Sequence, residues 1–302
     1  MKTIEATEFR DRLSGNSYSF GKDGEYRVVV AKTLEDRKRA WAMVYRMYLD
    51  KGYAKPDPAG LWYGIHDALP QTTTFLVTRR GEDVATLTIV FDSDIGLPAD
   101  GLYRDELDGL RNKGHRLCEI ISLVSDETDR RQAIEVLKHM FKVAYLMACK
   151  LADATDFIIT VNPHHAAYYE RKLLFRRQGD VRTYGKVSGA PAVLLVLDLE
   201  EAPDRYIAKY GMEPGSLMHH FCDVKTGSEA IWFLAENTSS NGRAELIGWF
   251  AARKPEALVA LRRIDLPFDA SREMQEYSAI AGGGVGSCDH KMVAGNLAAS
   301  LP

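Results

Sequence analysis

Cysteine is scarce in this chain of 302 residues, and what there is does not cluster. Cys118, Cys149, Cys222 and Cys288 form no Cys-x-x-Cys pair and no Cys/His spacing of a zinc site, which weighs against a disulfide framework and a structural metal alike. A surplus of charge is missing as well. Lys and Arg number 39 against 42 Asp and Glu, a net charge of −3, so electrostatics make no case for nucleic acid or an anionic membrane as the main partner. No apolar run approaches the ~20 residues that span a bilayer. The stretch from Met1 to Asp11 also lacks the apolar core of a signal peptide, so the expected location is the cytoplasm. Internal repeats are absent. With 46% hydrophobic and 27% charged residues, the chain is ordinary globular sequence, long enough for one large domain or two smaller ones.

The hydrophobic pattern switches between strand and helix periods. Tyr26 to Ala31 reads as a first strand, after a polar, glycine-punctuated arm expected to be poorly ordered until about Gly24. Thr33 looks like a helix cap ahead of Leu34 to Asp50, where Trp41, Val44, Tyr45 and Tyr48 recur at helical spacing and Gly52 marks the end. Tyr53 to Pro70 is a long loop dense in proline, glycine and aromatics, which points to a lid or a pocket wall. Thr73 to Thr78 and Val84 to Phe91 form a hairpin about Gly81, and Leu102 to Arg111 is a short acidic helix. The longest helix runs from Asp129 to Leu151, with Ile134, Leu137, Phe141, Tyr145 and Ala148 on one face. Phe157 to Val161 is a buried strand, Asn162 and Pro163 open a helix that closes near Phe175, and Arg182 to Val187 and Val193 to Leu199 complete the sheet.

After Glu200 the pattern is helical: Asp204 to Tyr210, Ser228 to Glu236, Ala244 to Arg253 and Pro255 to Arg263. From about Ala279 the chain is too rich in Ala and Gly to bury a core. The expected organisation is an arm over 1–24, an α/β domain over 25–200, a helical extension over 201–278 and a disordered tail over 279–302.

One stretch stands out chemically. Arg116 to Val124 is an apolar strand with Glu119 inside it, and strand alternation places Leu117, Glu119, Ile121 and Leu123 on one face. A dry carboxylate has its pKa pushed up, which poises it to take a proton near neutral pH. Equally, an Arg partner would make Glu119 a structural ion pair.

The order of elements and one motif carry a resemblance. Strand, helix, hairpin, Glu119 strand, long helix, apolar strand, tyrosine helix and final strand pair resemble the GNAT acyltransferase fold, a mixed central sheet flanked by helices, here with a C-terminal helical extension. The run Asn162-Pro-His-His-Ala-Ala-Tyr-Tyr-Glu-Arg-Lys-Leu-Leu-Phe175 resembles that superfamily's last core helix, with Leu174 in place of its usual glycine. More specifically, Val44 to Tyr53, Thr73 to Val77, Val84 to Thr88, Gly96-Leu-Pro98, Asp105 to Arg111, Glu119, Asn162 to His164 and Gly189 to Ala192 together resemble the long-chain N-acyl amino acid synthases of the FeeM type. The likeness extends over about Tyr26 to Leu199. Those enzymes are similar in turn to acyl-homoserine lactone synthases.

The resemblance implies transfer of a long-chain, in some members 3-hydroxylated, acyl group from acyl carrier protein to the amino group of an amino acid. The donor's 4′-phosphopantetheine arm is then the only cofactor group, with no metal and none bound permanently. It implies Glu119 as the base and Tyr169 as the acid beside the thioester sulfur. Tyr45, Tyr48, Trp62 and Tyr63 are candidates for lining the acyl or amino acid pocket, with core packing as the alternative. Arg116 is a candidate fork for the substrate carboxylate, although alternation puts it on the face opposite Glu119. His164 and His165 read as capping or packing residues.

A glycine turn is missing before the longest helix, where CoA-dependent members hold the pyrophosphate. The junction instead carries Asp126, Glu127 and Asp129. That absence favours a carrier-protein donor. An acidic carrier wants a basic surface, for which Arg130, Arg131, Lys138, Arg171, Lys172, Arg176 and Arg177 are candidates, or else simply a solvated helix face. The competing functions are a lactone synthase, a CoA-dependent acetyltransferase and a non-catalytic acyl-carrier-binding module. Contact with a membrane, if any, would be peripheral and through the product.

Overall fold

A computed structural model describes residues 17–254 except 70, 223 and 238–242. The sequence expectations for residues 1–16, for the helix from Pro255 and for the Ala/Gly-rich tail lie outside the described residues. The strands are β1 (Tyr18–Phe20), β2 (Tyr26–Val30), β3 (Thr73–Arg79), β4 (Glu82–Phe91), β5 (Leu117–Ser125), β6 (Asp156–Val161), β7 (Arg176–Arg177), β8 (Arg182–Tyr184) and β9 (Ala190–Asp198). They form one mixed sheet in the order β1-β2-β3-β4-β5-β6-β9-β7, with β8 also on β9. Every described pairing is antiparallel except that of β5 with β6.

Helices α1 (Leu34–Asp50), α2 (Asp100–Arg111), α3 (Arg130–Leu146) and α4 (Pro163–Lys172) flank the sheet. Their ends follow from local chemistry. Thr33 accepts from the Asp36 amide while the Asp36 carboxylate accepts from the Thr33 amide, a reciprocal cap for α1. Asn162 accepts from the His164 amide at 3.0 Å ahead of Pro163 at the first turn of α4. At the other end of α4, Leu174 takes a left-handed φ of 57° and the amides of Leu173 and Phe175 both reach the Tyr169 carbonyl. This is the cap that glycine usually makes. Leucine adopts it at a cost of about 1–2 kcal/mol, and its side chain is buried in return.

Two sequence expectations need correction. The arm is ordered earlier than Gly24: β1 pairs with β2, burying Tyr18 and Phe20 on either side of exposed Ser19, with Phe20 stacked on Tyr26 at 5.0 Å and on His139 at 4.0 Å. Three residues are too few for a periodicity to show. On α3 and the π-helical turn Met147–Leu151 that continues it, Phe141 and Ala148 are buried as expected and Val136, Met140, Val143, Ala144 and Met147 are buried with them, whereas Ile134 is exposed and Leu137 and Tyr145 only partly buried.

The added burial on α3 comes from the extension, whose helices are α5 (Ala202–Tyr210), α6 (Leu217–Cys222), α7 (Val224–Asn237) and α8 (Arg243–Arg253). Met218, Ala230, Ile231, Phe233 and Leu234 belong to the same hydrophobic cluster as the sheet and α3. Lys142, wholly buried on α3, donates to the His220 carbonyl at 2.8 Å. Among the described residues no helix is long and apolar enough to cross a membrane.

Candidate active site

The site forms where the sheet comes apart. β5 and β6 pair only from Leu117 to Glu119 against Asp156 to Ile158, after which β5 stays with β4 and β6 with β9. The divergence coincides with a bulge in β5: Thr86 faces Val124 and Thr88 faces Ile121, so Ser122 and Leu123 together oppose Leu87. Ser122 sits at φ 53°, a left-handed conformation that a non-glycine residue holds only when its surroundings impose it. The extra residue flips the strand, which sequence alternation did not foresee. Leu117 and Ile121 pack with the cluster around Tyr103 and Leu107, whereas Leu123 joins Cys118 and Ile120 on the other face.

A cavity of about 420 Å³ fills the gap, lined by Glu119 to Ser125 of β5, Ile159 to Val161 of β6, and Tyr48, Trp62, Tyr169 and Tyr184. The β6-facing amides of β5 beyond Glu119 have no strand partner, so they are free to meet a developing oxyanion. Glu119 is 2% exposed, and its carboxylate accepts one hydrogen bond, from the Ala99 amide at 2.7 Å. Burial pushes its pKa up to about 8, only partly offset by that amide and by the positive charge of Lys186. At pH 7 roughly a tenth of it is ionised. No Arg partner holds it among the described residues, and the structural ion-pair alternative falls.

Tyr169 reaches the same cavity from α4 and also lines a groove of about 290 Å³ beside the start of α3. Its hydroxyl makes no hydrogen bond among the described residues, and burial, with Tyr168 and Tyr48 nearby, drives its pKa well above the ordinary phenol value. It therefore stays protonated at neutral pH. The groove and the cavity share Leu123, Val124, Ser125, His165 and Tyr169 and so adjoin along β5 and α4. Ile134 and Leu137 line the groove, which accounts for an exposed isoleucine on a helix.

The remaining sequence candidates divide. Tyr48 and Trp62 line the cavity, packed edge to face at 5.0 Å. Tyr63 instead stacks on Trp41 at 4.9 Å and borders a neighbouring cavity, while Tyr45 braces the loop by accepting from the Asp57 amide at 2.6 Å. Arg116 is a correction: it sits just before β5 begins, outside the cavity, with its guanidinium on the Asp153 carbonyl at 2.5 Å and carboxylate at 3.2 Å. Sequence reasoning missed Tyr53, Thr160, Tyr184 and Lys186. Tyr53 accepts from the Asn162 side chain at 3.3 Å, and Ser188 donates to its carbonyl at 3.1 Å, tying the aromatic loop to α4 and to the turn before β9.

The carboxylates of the acidic junction before α3 are all engaged. Asp126 is paired with Arg46 at 2.5 Å, and Glu127 accepts from Tyr26 at 3.0 Å and from Arg79 at 3.4 Å. Asp129 caps α3, accepting from the amides of Arg131 and Gln132 at 2.9 Å each, so a carboxylate already fills the anion position of that helix start. The basic candidates stand on several elements. Arg130 lines the groove with Arg131 in the same turn, whereas Arg171, Lys172, Arg176 and Arg177 lie toward the far end of α4, about 15 Å long. Lys138, Arg176 and Arg177 are engaged with Glu135, Glu201 and Glu170.

A mixed, largely antiparallel sheet that opens at its parallel pair, with a buried carboxylate in the opening and a tyrosine on the next helix, is the architecture of a GNAT acyltransferase. The profile of the N-acyl amino acid synthase FeeM matches residues 39–198, more than half of the chain, and the chain belongs to that family. It is an acyltransferase. Among solved structures, FeeM from uncultured soil microbes superposes with a TM-score of 0.53 at 24% identity, over 61% of this chain and 97% of that one. TofI, in a ternary complex with an inhibitor and MTA, gives 0.46 at 12% identity over 58% and 92% of the two chains. The AHL synthase LasI gives 0.44 at 12% over 58% and 90%. No curated protein matches the sequence.

Proposed function

We propose that the enzyme moves a long-chain acyl group from acyl carrier protein to the amino group of an amino acid, with Glu119 as base and Tyr169 as acid. The observation that carries this reading is Glu119 itself, a carboxylate with its pKa near 8 facing a cavity at the point where the strands part. The amine nitrogen attacks the thioester carbonyl, and the oxyanion is met by unpaired β5 amides. The carbon–sulfur bond then breaks. Two protons leave the ammonium nitrogen overall: one goes to Glu119, and the other replaces the proton that Tyr169 gives the departing thiolate. The thiol leaves on the pantetheine arm with which it entered.

The donor is read from Asp129, whose carboxylate takes the amides that a CoA pyrophosphate would need. A pantetheine delivered by a carrier protein brings no pyrophosphate to that turn. The reading places the enzyme in the cytoplasm and its carrier at the Arg130 end of the groove. Purified enzyme incubated with long-chain acyl carrier protein and a mixture of amino acids should yield amide-linked N-acyl amino acids by mass spectrometry. Formation of a lactone, or of no acylated amine, would refute it.

A further inference from the structure

Beside the central cavity lies a second, also of about 420 Å³, and the two share Pro98, Tyr184 and Lys186. Its charge is unbalanced. Arg104 of α2, Lys186 and Lys254 line it, and none of the three belongs to an ion pair among the described residues. Its carboxylate, Asp100, is already spent: it accepts from Arg111 twice at 2.7 Å and from the Leu97 amide at 2.6 Å. Arg111 shows the contrast, being engaged by Asp92, Asp100 and Asp108 together. Nearby Asp67, buried, is held by the Trp41 indole at 3.1 Å and the Gly64 amide at 2.7 Å. His66 is kept below its ordinary pKa by burial and by Lys186, so it adds no charge.

Lys186 occupies the junction. It stands on the short turn Gly185–Val187 between β8 and β9, and its ammonium lies over the backbone of Gly64, 3.4 Å from where a Cβ would be. Any side chain at Gly64 would crowd it. Lys254 comes from outside the family match: it follows α8, whose Trp249 and Phe250 pack with Trp41 and Tyr63, and it lies over the Tyr63 ring at 5.1 Å. The extension thus brings a cation to this second cavity.

We infer that this second cavity is the acceptor subsite, in which Lys186 holds the α-carboxylate of the amino acid while its amine points to Glu119, and Lys254 from the extension adds to the same anion field. The inference rests on the proposed function and names how that site selects its substrate. Glu119 and Lys186 line one cavity, close enough for the Lys186 charge to bear on the Glu119 carboxyl, and an α-amino acid carries the complementary ammonium and carboxylate on one short unit. A carboxylate is drawn to a cation that no protein acid already neutralises.

The test compares each free L-amino acid that the full-length enzyme acylates with its primary carboxamide, which keeps the shape and removes the charge. Wild-type turnover of the amino acids tests the proposed function by itself, so the two claims fail separately. Lys186→Met should lower kcat/KM for the acid about ten- to a hundredfold more than for the amide, chiefly through KM, while the loss of its charge beside Glu119 slows both substrates alike. Lys186→Arg should restore most of the acid preference, and Lys254→Met should erode it less than Lys186→Met does. Equal losses for acid and amide, or no loss for either, would overturn the inference.

Discussion

The Glu119 carboxylate accepts its hydrogen bond from the backbone amide of Ala99, at 2.7 Å. Ala99 ends the turn that leads into α2, so Glu119 is held by a segment far from its own strand, and that N–H is the largest offset to its burial, with Lys186 and Thr160 adding less. A single amide stabilises a carboxylate less than full desolvation destabilises it, hence the upward pKa. The consequence for stability has a definite sign. A carboxyl with a folded pKa near 8 and an ordinary unfolded value binds more protons folded than unfolded between those limits, so its contribution falls as pH rises through that window. Glu119→Gln should therefore gain thermal stability relative to wild type from pH 5 to pH 8, the gap in unfolding free energy widening by up to about 1.4 kcal/mol per pH unit. Denaturant melts of both proteins at several pH values measure it. A gap that is flat or shrinks with pH contradicts the burial of an ionisable group at this position.

Asp129 should govern the choice of donor. Its replacement by Ala removes a helix cap, which costs about 1 kcal/mol, and frees the Arg131 and Gln132 amides. Wild-type enzyme should use acyl carrier protein with a far higher kcat/KM than the matching acyl-CoA. In Asp129→Ala that ratio should narrow because CoA improves. An unchanged ratio would separate donor choice from this helix start.

Tyr169→Phe keeps the ring against Phe141 and Phe175 and removes only the hydroxyl. Since that hydroxyl has no partner among the described residues, folding stability should stay within about 0.5 kcal/mol, while kcat falls about 10²-fold or more if it protonates the leaving thiolate. Loss of stability with normal turnover would make it a packing residue.

The extension should be indispensable to the fold. Tyr206 donates to the Leu173 carbonyl at 2.7 Å and Arg205 to that of Leu174 at 2.8 Å, and Met218 and Phe233 share the core with α3. Truncation after Leu199 would expose Val136, Met140 and Val143 with the buried Lys142 among them. The truncated chain should be insoluble or lose its cooperative melt, whereas a soluble, cooperatively folding product would show the extension to be dispensable.

Much of this was legible in residue order, and the exceptions have physical reasons. Glu119 was visible because a carboxylate inside an apolar strand is costly, and the caps at Thr33 and Asn162 were visible because capping is local. The bulge at Ser122 was not, since nothing in Ile121-Ser-Leu123 signals a positive φ, and it moved Leu123 to the face opposite the one that alternation assigns. Arg116 failed as a fork because sequence proximity to Glu119 says nothing about the direction in which a strand leaves the site. Lys186 was invisible for a related reason: an exposed lysine on a glycine-bounded turn looks like any other until the loop around Gly64 is seen beneath it.

The most direct test of the account is the pH dependence of kcat for wild type and Glu119→Gln, with acyl carrier protein as donor and an amino acid as acceptor. The wild-type rate should rise with an apparent pKa near 8, as Glu119 gives up its proton and becomes a base. In Glu119→Gln kcat should be lower by about 10²–10⁴-fold with that rise gone. A Glu119→Gln enzyme with wild-type kcat at pH 7 and the same pH profile would contradict the assignment of Glu119 as the base.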